Sequence, residues 1–290
     1  MEATDLIKKV RKIEIKTRGL SNHIFAGEYH SAFKGKGMTF SEVREYQYGD
    51  SIKQIDWNVT ARFNHPYVKV FEEERELTVI LLVDVSGSKY FGTNQQLKKD
   101  LIAEISAVLS FSAIQNNDKI GVILFSDKVE KFIPPKKGKK HILRIITELL
   151  NFNPESKGTN ISEALRYFTN AVKKKTTAFL ISDFIDKNYE QALRIANNKH
   201  DIIAVRIYDK REQELPNIGL VNMFDPETNK QLLVDTSNAN VRYTYKKWMK
   251  NLENELNLTV KKAGVDIINV STGGDYIKPL LNLFKRRGAK

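Results

Sequence analysis

The chain has 290 residues, a mass of 33.3 kDa and a formal net charge of +12, and 41% of its residues are hydrophobic and 28% charged. These proportions exclude collagen-like, fibrous and disordered chains, and the absence of cysteine excludes disulfide scaffolds, thiolate nucleophiles, thiolate zinc sites and iron–sulfur clusters. No apolar run approaches the roughly 20 residues that a bilayer requires, so we expect a cytoplasmic protein.

The chain divides into two regions of different composition. Residues 1–75 are spaced by glycines and rich in aromatic residues and turn signals, which predicts a small β-rich module packed on the domain that follows. Residues 76–290 alternate apolar strands with amphipathic helices. This alternation predicts an α/β domain with its core at residues 77–210 and a C-terminal extension.

The elements of the second region are predicted in chain order. Strands are expected at 77–84, 120–125, 129–133, 177–182, 202–208 and 265–270. Helices are expected at 97–112, 139–150, 160–173, 189–199, 241–252 and 277–284. Most of the strands are apolar on both faces, as in a parallel sheet, whereas the strand at 129–133 alternates and ends at two prolines, which suits an edge. The pattern predicts a doubly wound, mostly parallel sheet with one antiparallel hairpin.

Five side chains that bear oxygen follow strands or precede a helix at the same predicted edge. They are Asp84, Ser86, Ser88, Thr159 and Asp183. The strand directions bring all of them to the carboxyl ends of the parallel strands, where such sheets bind ligands. Two carboxylates and three hydroxyls are hard oxygen donors, which suit Mg²⁺. The sequence therefore predicts a metal site at this edge.

The order and spacing of these residues resemble the metal-ion-dependent adhesion site of von Willebrand factor A domains, over residues 77–210 of this chain. The resemblance implies that the three hydroxyls are ligands of Mg²⁺ or another divalent cation, and that the two carboxylates act directly or through water. It implies a non-catalytic binding module in which a Glu or Asp of a protein partner completes the metal shell.

A second pattern lies in the first region. Its residues are Arg44, Tyr46, Gly49, Asp50, Asp56 and Trp57. This pattern resembles the signature that precedes the von Willebrand A-like domain in the MoxR-associated family, catalogued as domain of unknown function fifty-eight. The resemblance implies a MoxR-type AAA+ ATPase as partner and a role as adaptor or chaperone; family members often carry N-terminal membrane helices, and none is evident in this sequence. Tyr46 and Trp57 either fix the module against the sheet or form a partner-docking surface.

Motifs of common enzymes are missing from the sequence. We find no phosphate-binding loop, no dinucleotide-binding glycine pattern, no nucleophile elbow and no histidine spacing typical of a metal site, so we expect no catalytic activity. Basic runs at residues 136–140 and 173–175 leave an alternative, a protein that binds nucleic acid or an anionic membrane surface and whose metal site is structural. Solvated helix ends explain the same runs, because they are scattered and lack interleaved aromatic residues.

Overall fold

The computed structural model describes residues 10–14, 17, 37–74, 77–90, 97–224 and 231–288. Its strands are β1 (Gly37–Glu45), β2 (Tyr67–Glu74), β3 (Thr78–Asp84), β4 (Lys119–Phe125), β5 (Val129–Lys136), β6 (Thr177–Ser182), β7 (Asp201–Tyr208), β8 (Leu220–Phe224), β9 (Gln231–Asp235) and β10 (Asp266–Ser271). Its helices are α1 (Trp57–Phe63), α2 (Lys98–Gln115), α3 (Lys139–Asn151), α4 (Ile161–Ala171), α5 (Glu190–Lys199), α6 (Lys210–Gln213), α7 (Ala239–Lys262) and α8 (Ile277–Gly288).

A mixed sheet of six strands forms the centre of the molecule. Its strand order is β10-β7-β6-β3-β4-β5, in which β5 pairs antiparallel with β4 and the other neighbours pair in parallel. Helices cover both faces, so the predicted fold class is confirmed. The ends of β3, β6 and β7 share one edge of the sheet, the carboxyl edge, and the starts of these strands form the opposite edge.

Apolar side chains alternate between the two faces of β3 and contribute to a core layer on each. Val79, Leu81 and Val83 pack with α2, α3 and α8 on one face. Ile80 and Leu82 pack with α4, α5 and α7 on the other face. Because helices cover both faces, nearly the whole strand is buried, which explains its unbroken apolar run.

The outermost strand on one side of the sheet, β5, passes very close to Gly121 of β4. A Cβ atom there would lie 2.8 Å from Ile80 Cδ1 and 2.9 Å from the carbonyl oxygen of Ile133. The pairing of β4 with β5 shifts register between Ile120 and Val122, so the bulge and the missing side chain coincide. Any larger residue at this position would displace the backbone of β5.

The N-terminal region contains an antiparallel hairpin, β1–β2, which agrees with its predicted β-rich character. Ile13, in the helical residues 10–14, belongs to the core layer on the α2 face, so part of this region packs on the sheet domain. Trp57 is 67% exposed, because it begins α1, a helix without buried residues. The interpretation of Trp57 as a buried anchor is therefore wrong, whereas the division of the chain at residue 75 stays a prediction.

Helix α7 follows the β8–β9 hairpin and covers 24 residues. Met249, Leu256 and Val260 are its buried residues, and they lie in the C-terminal two thirds of the helix. Its first turns are largely exposed, including Tyr243 and Trp248. Within the described ranges, neither α7 nor any other helix combines the length and apolar character that crossing a bilayer requires.

Candidate metal centre

The Asp84 carboxylate is fixed at the end of β3 by two hydrogen bonds. The Ser86 backbone N–H donates to Oδ1 at 2.9 Å, and the Ser182 hydroxyl donates to Oδ2 at 2.7 Å. All three residues are buried. Each carboxylate oxygen keeps a lone pair beyond these bonds, so the group can still bind a cation directly or through water.

The hydroxyls of Ser86 and Ser88 meet in the turn after β3. Their oxygens are 3.2 Å apart and share a hydrogen bond. The Gly87 N–H donates to the carbonyl of Lys157 at 2.9 Å, which draws the loop before α4 against this turn. Thr159, the third predicted hydroxyl residue, is half-buried in that loop. The structure thus brings the three predicted hydroxyl residues to the carboxyl edge.

Asp183 leaves β6 on a constrained backbone. The next residue, Phe184, has a φ of 60°, a left-handed conformation that is unusual for a bulky side chain. Phe184 is buried, and its N–H donates to the Ser182 hydroxyl at 3.0 Å. Because the same hydroxyl donates to Asp84, one serine connects the ends of β3 and β6. Strained backbone of this kind clusters at functional sites.

The two carboxylates repel each other in a buried setting. Burial, followed by the negative charge of Asp183, raises the pKa of Asp84 to about 7. Hydrogen bonds from Ser182 and Ser86 oppose this shift without cancelling it. A divalent cation at this edge would offset the repulsion and favour the charged form of both carboxylates.

A buried lysine that the sequence analysis missed contacts Asp183. Lys98 is 1% exposed, and its Nζ lies 3.3 Å from Asp183 Oδ2 and 2.6 Å from Glu212 Oε1. Burial alone would lower the pKa of Lys98, but the two carboxylates outweigh burial and raise it, so the ammonium stays charged. The sequence carries a signal for both residues. Lys98 falls on the apolar side of α2 near Leu101, and Glu212 forms a capping box with Asp209 directly after β7.

The donor set suits a hard cation such as Mg²⁺. No three His, Asp or Glu side chains converge as a metal cluster within the described residues, so a centre here relies on hydroxyls as well as carboxylates. Adjacent ligands of an octahedral Mg²⁺ lie about 3 Å apart, similar to the separation of the Ser86 and Ser88 oxygens. Lys98 occupies one oxygen of Asp183, which favours contact of this carboxylate through water. The residues that would hold the ion are Asp84, Ser86, Ser88, Thr159 and Asp183.

The residues of the predicted family signature shape the N-terminal hairpin. Arg44 donates to the two carboxylate oxygens of Asp50 at 2.9 and 2.8 Å, and this pairing lowers the pKa of Asp50. Gly49 has a φ of 108°, which favours glycine. Asp56 caps α1 by accepting from two backbone N–H groups, and the Tyr46 N–H donates across the hairpin. These contacts are local, so the signature supports the hairpin, whereas metal binding stays a prediction for the other five residues.

Comparisons with known proteins identify one family and several distant structures. Residues 42–255 match the family model described as "Protein of unknown function DUF58". The uncharacterized protein Rv1480 of Mycobacterium tuberculosis is 26% identical over 292 residues, which covers 98% of this chain and 91% of the relative. The conserved hypothetical protein BatB from Bacteroides thetaiotaomicron has a TM-score of 0.49 at 15% identity, over 74% of this chain and 100% of BatB. Proximal thread matrix protein 1 from the mussel byssus, with a zinc-occupied MIDAS motif, has a TM-score of 0.35 at 21% identity, over 46% of this chain and 38% of that protein.

Proposed function

Because the chain belongs to the family of proteins of unknown function DUF58, we propose its role from the metal centre: a non-catalytic, Mg²⁺-dependent protein-binding module. The observation that carries this proposal is the pairing of two buried, mutually repelling carboxylates with the Ser86–Ser88 hydroxyls at one edge. Hydroxyl ligands add no charge, and Lys98 already neutralises part of Asp183. A bound Mg²⁺ would therefore remain short of negative charge, and a Glu or Asp of a partner would supply it.

The residues around the centre orient its donors. Ser182 fixes Asp84, and Lys98 holds one oxygen of Asp183. Because both partners are buried, the donors keep their positions before a cation arrives, and little conformational entropy is lost on binding. We expect loss of the metal to abolish partner binding without unfolding the domain.

We propose a MoxR-type AAA+ ATPase as the partner, with this chain as its adaptor or chaperone partner in the cytoplasm. The family resemblance motivates this choice. The N-terminal hairpin region offers a further surface for such a partner, because four large apolar side chains are exposed there. They are Tyr48, Ile52, Trp57 and Phe63. Exposed apolar residues in one region are typical of protein-interaction sites.

Binding of a purified MoxR-type ATPase from the same organism to the immobilised chain tests this proposal. We expect Ser86→Ala to weaken binding by about tenfold or more, because it removes a ligand from the centre of the contact. Ser162→Ala, which removes a hydroxyl on α4, is the matched control and should bind like the wild type. A chelator would also remove Mg²⁺ from the AAA+ ATPase, which uses this ion itself. The variants change only the metal centre of this chain, and measuring them without nucleotide keeps the ATPase in one state.

Two further measurements separate loss of recognition from loss of folding. Ser86→Ala should change the free energy of unfolding by only about 1 kcal/mol, since the site lies at a strand end. Trp57→Ala should change it by less than about 0.5 kcal/mol, because the side chain is exposed. ATPase binding that survives Ser86→Ala and Asp84→Asn at wild-type strength would overturn the proposed role of the metal centre.

A second candidate function is binding to nucleic acid or to an anionic membrane surface. Four exposed lysines favour it, and they lie at the end of β5 and the start of α3, at the opposite edge from the metal centre. They are Lys136, Lys137, Lys139 and Lys140. In this case the metal centre would be structural, and binding would depend steeply on salt.

A further inference from the structure

The side chain of Lys98 lies between two carboxylates next to the metal centre. Lys98 is the first residue of α2, and it is almost completely buried. Its Nζ lies 2.6 Å from Glu212 Oε1 and 3.3 Å from Asp183 Oδ2. A lysine normally keeps its ammonium in water, so a buried one requires carboxylate partners. One of these partners is a predicted ligand of the cation, and Lys98 therefore acts on the centre at short range.

The other partner, Glu212, is fixed outside the centre. The Asp209 N–H donates to Glu212 Oε2 at 3.0 Å, which completes a capping box at the start of α6. Asp209 is itself buried, and its carboxylate accepts a hydrogen bond from the Thr272 hydroxyl. Because Glu212 is held in this way, we expect the Lys98 ammonium to stay beside Asp183 when a cation binds.

Each carboxylate oxygen of the centre already accepts a hydrogen bond. The Ile185 N–H donates to Asp183 Oδ1 at 3.3 Å, and the Lys98 ammonium donates to Oδ2 at 3.3 Å. The two oxygens of Asp84 accept from a backbone N–H and from a hydroxyl. Lone pairs remain for a cation, but they favour contact through one oxygen or through water over contact with both oxygens of one carboxylate.

This arrangement does not suit Mg²⁺ and Ca²⁺ equally. Mg²⁺ keeps several waters, whereas Ca²⁺ takes about six to eight oxygen ligands and often binds both oxygens of a carboxylate. A Ca²⁺ bound directly to Asp183 Oδ2, at about 2.5 Å, would lie within about 6 Å of Lys98 Nζ, and the two cations would repel each other in a buried setting. A water-mediated contact with Mg²⁺ leaves the ion pair between Lys98 and Asp183 intact.

We propose that Lys98 is a positioning residue that makes the centre select Mg²⁺ over Ca²⁺, because it holds one oxygen of Asp183 away from direct binding. This inference rests on the metal centre of the proposed function and adds the residue that determines which cation binds. A lysine that served only the fold would change stability. Its charge alone would weaken the binding of both cations alike. The dissociation constant for Ca²⁺ divided by that for Mg²⁺, the selectivity ratio, therefore isolates the positioning role.

Calorimetric titration of the full chain, freed of metal by a chelator and dialysed, with MgCl₂ and with CaCl₂ measures the selectivity ratio. Lys98→Met removes the ammonium and keeps a side chain of similar length. We expect it to lower the ratio by about tenfold or more, because Asp183 can then offer both oxygens to Ca²⁺. Lys98→Arg keeps a charged donor and should stay within about threefold of the wild-type ratio.

Two further variants control for charge and for folding. Lys187→Met removes the same charge from an exposed position in the loop after β6, and it should keep the wild-type ratio. Lys98→Met leaves Asp183 and Glu212 without their shared ammonium, so Lys98→Met combined with Glu212→Gln removes one charge of each sign. This double variant should show the same fall in the ratio. Circular dichroism and thermal unfolding verify that each variant is folded.

Three results would overturn the inference. An unchanged selectivity ratio in a folded Lys98→Met variant, single or double, that still binds Mg²⁺ would overturn it alone and leave the proposed function standing. An equal fall in Lys187→Met would assign the effect to surface charge. Absence of Mg²⁺ binding by the wild type would overturn both this inference and the proposed function.

Discussion

The two edges of the central sheet both carry charged networks, and the network around Arg287 pairs its carboxylates more fully than the network around Lys98 does. At the opposite edge, Arg287 donates to both oxygens of Asp201 at 2.7 and 3.0 Å and to Asp266 at 2.7 Å. Arg286 lies 3.6 Å from Asp266. Two arginines therefore face two carboxylates, and this network joins α8 to the starts of β7 and β10.

At the carboxyl edge, the Lys98 ammonium is shared between two carboxylates, and Arg206, which lies opposite Ser182 in the pairing of β6 with β7, pairs with Glu253. Lys98 pairs with Asp183 and Glu212, whereas two neutral donors hold Asp84. A balanced network of ion pairs contributes to stability, and removal of one partner leaves a buried charge without compensation. A less fully paired network with a carboxylate of strongly perturbed pKa is typical of a binding site. From this comparison we predict that the opposite edge contributes to stability and that the carboxyl edge binds a cation.

The largest expected effect is loss of the balanced network. Arg287→Ala leaves Asp201 and Asp266 partly buried without their main partner, so we expect the free energy of unfolding to fall by about 3 kcal/mol. Arg287→Lys should recover less than half of this loss, because one ammonium cannot make the same forked contacts. Urea denaturation measures both variants. Arg286→Ala is the control and should cost less than about 0.5 kcal/mol, because this side chain is exposed.

The second effect concerns the carboxyl edge and has the opposite sign in the absence of metal. Asp84→Asn removes a repelling charge, so we expect the unfolding free energy in EDTA to stay unchanged or rise by up to about 1 kcal/mol. The same variant should lose the stabilisation by Mg²⁺, which for the wild type is about 2.7 kcal/mol at a hundredfold excess over the dissociation constant. Thermal unfolding with Mg²⁺ and with EDTA provides the measurement.

Asp127→Asn is the matched control for this measurement. Asp127 is exposed in the turn after β4, at the same edge of the sheet. It should keep the full stabilisation by Mg²⁺. If Asp84→Asn also kept the full stabilisation by Mg²⁺, Asp84 would not contribute to cation binding. The predicted difference in function between the two edges of the sheet would then be wrong.

The third effect is a pH dependence at the opposite edge. His200 precedes β7 and packs against Phe168 with ring centroids 4.3 Å apart, and burial together with the charge of Lys199 lowers its pKa from 6.5 to about 4. Between these values the unfolded chain binds a proton that the folded chain does not. Stability should therefore fall as the pH drops from 6.5 to 4, by about 2.5 kcal/mol over this range.

Urea denaturation at several pH values checks this dependence. His200→Leu should flatten the profile between pH 6.5 and 5, where most carboxylates are still ionised. His65→Gln changes an exposed histidine and should keep the wild-type profile. An unchanged profile in His200→Leu would place the acid sensitivity elsewhere in the protein.

The sequence predicted which strand-end residues meet, because the apolar runs and the parallel strand order determine where each strand ends. A buried apolar run determines where β3 stops, and parallel pairing then brings Asp84 and Asp183 to one edge, whatever the details of side-chain packing. The contribution of Lys98 depends instead on tertiary contact, since Asp183 lies 85 residues away along the chain. A lysine within an apolar stripe indicates a buried charge that needs an acidic partner, but the local sequence pattern does not identify that partner.

Amphipathic side chains and backbone bulges were harder to predict. Trp57 suits a buried anchor and an exposed docking residue equally well, because its ring is apolar and its N–H is polar. The structure exposes it, since α1 lies outside the core. The need for glycine at position 121 arises from the path of β5, which no local signal in β4 reveals.

The smallest expected effect concerns the exposed lysines of residues 136–140 at the opposite edge. These side chains are solvated, so Lys136→Ala combined with Lys140→Ala should change the unfolding free energy by less than about 0.5 kcal/mol.

The same lysines allow a test of DNA binding. If they are only solvated surface residues, the chain should bind duplex DNA weakly at about 150 mM salt. If they bind phosphates instead, the logarithm of the affinity should fall by about 0.9 per neutralised phosphate for each tenfold rise in salt concentration. Fluorescence anisotropy of labelled DNA measures both quantities. Lys261→Ala combined with Lys262→Ala removes the same charge from the end of α7. Sub-micromolar DNA binding that the first pair of substitutions weakens more than the second would make the opposite edge a functional surface and favour nucleic acid as the ligand.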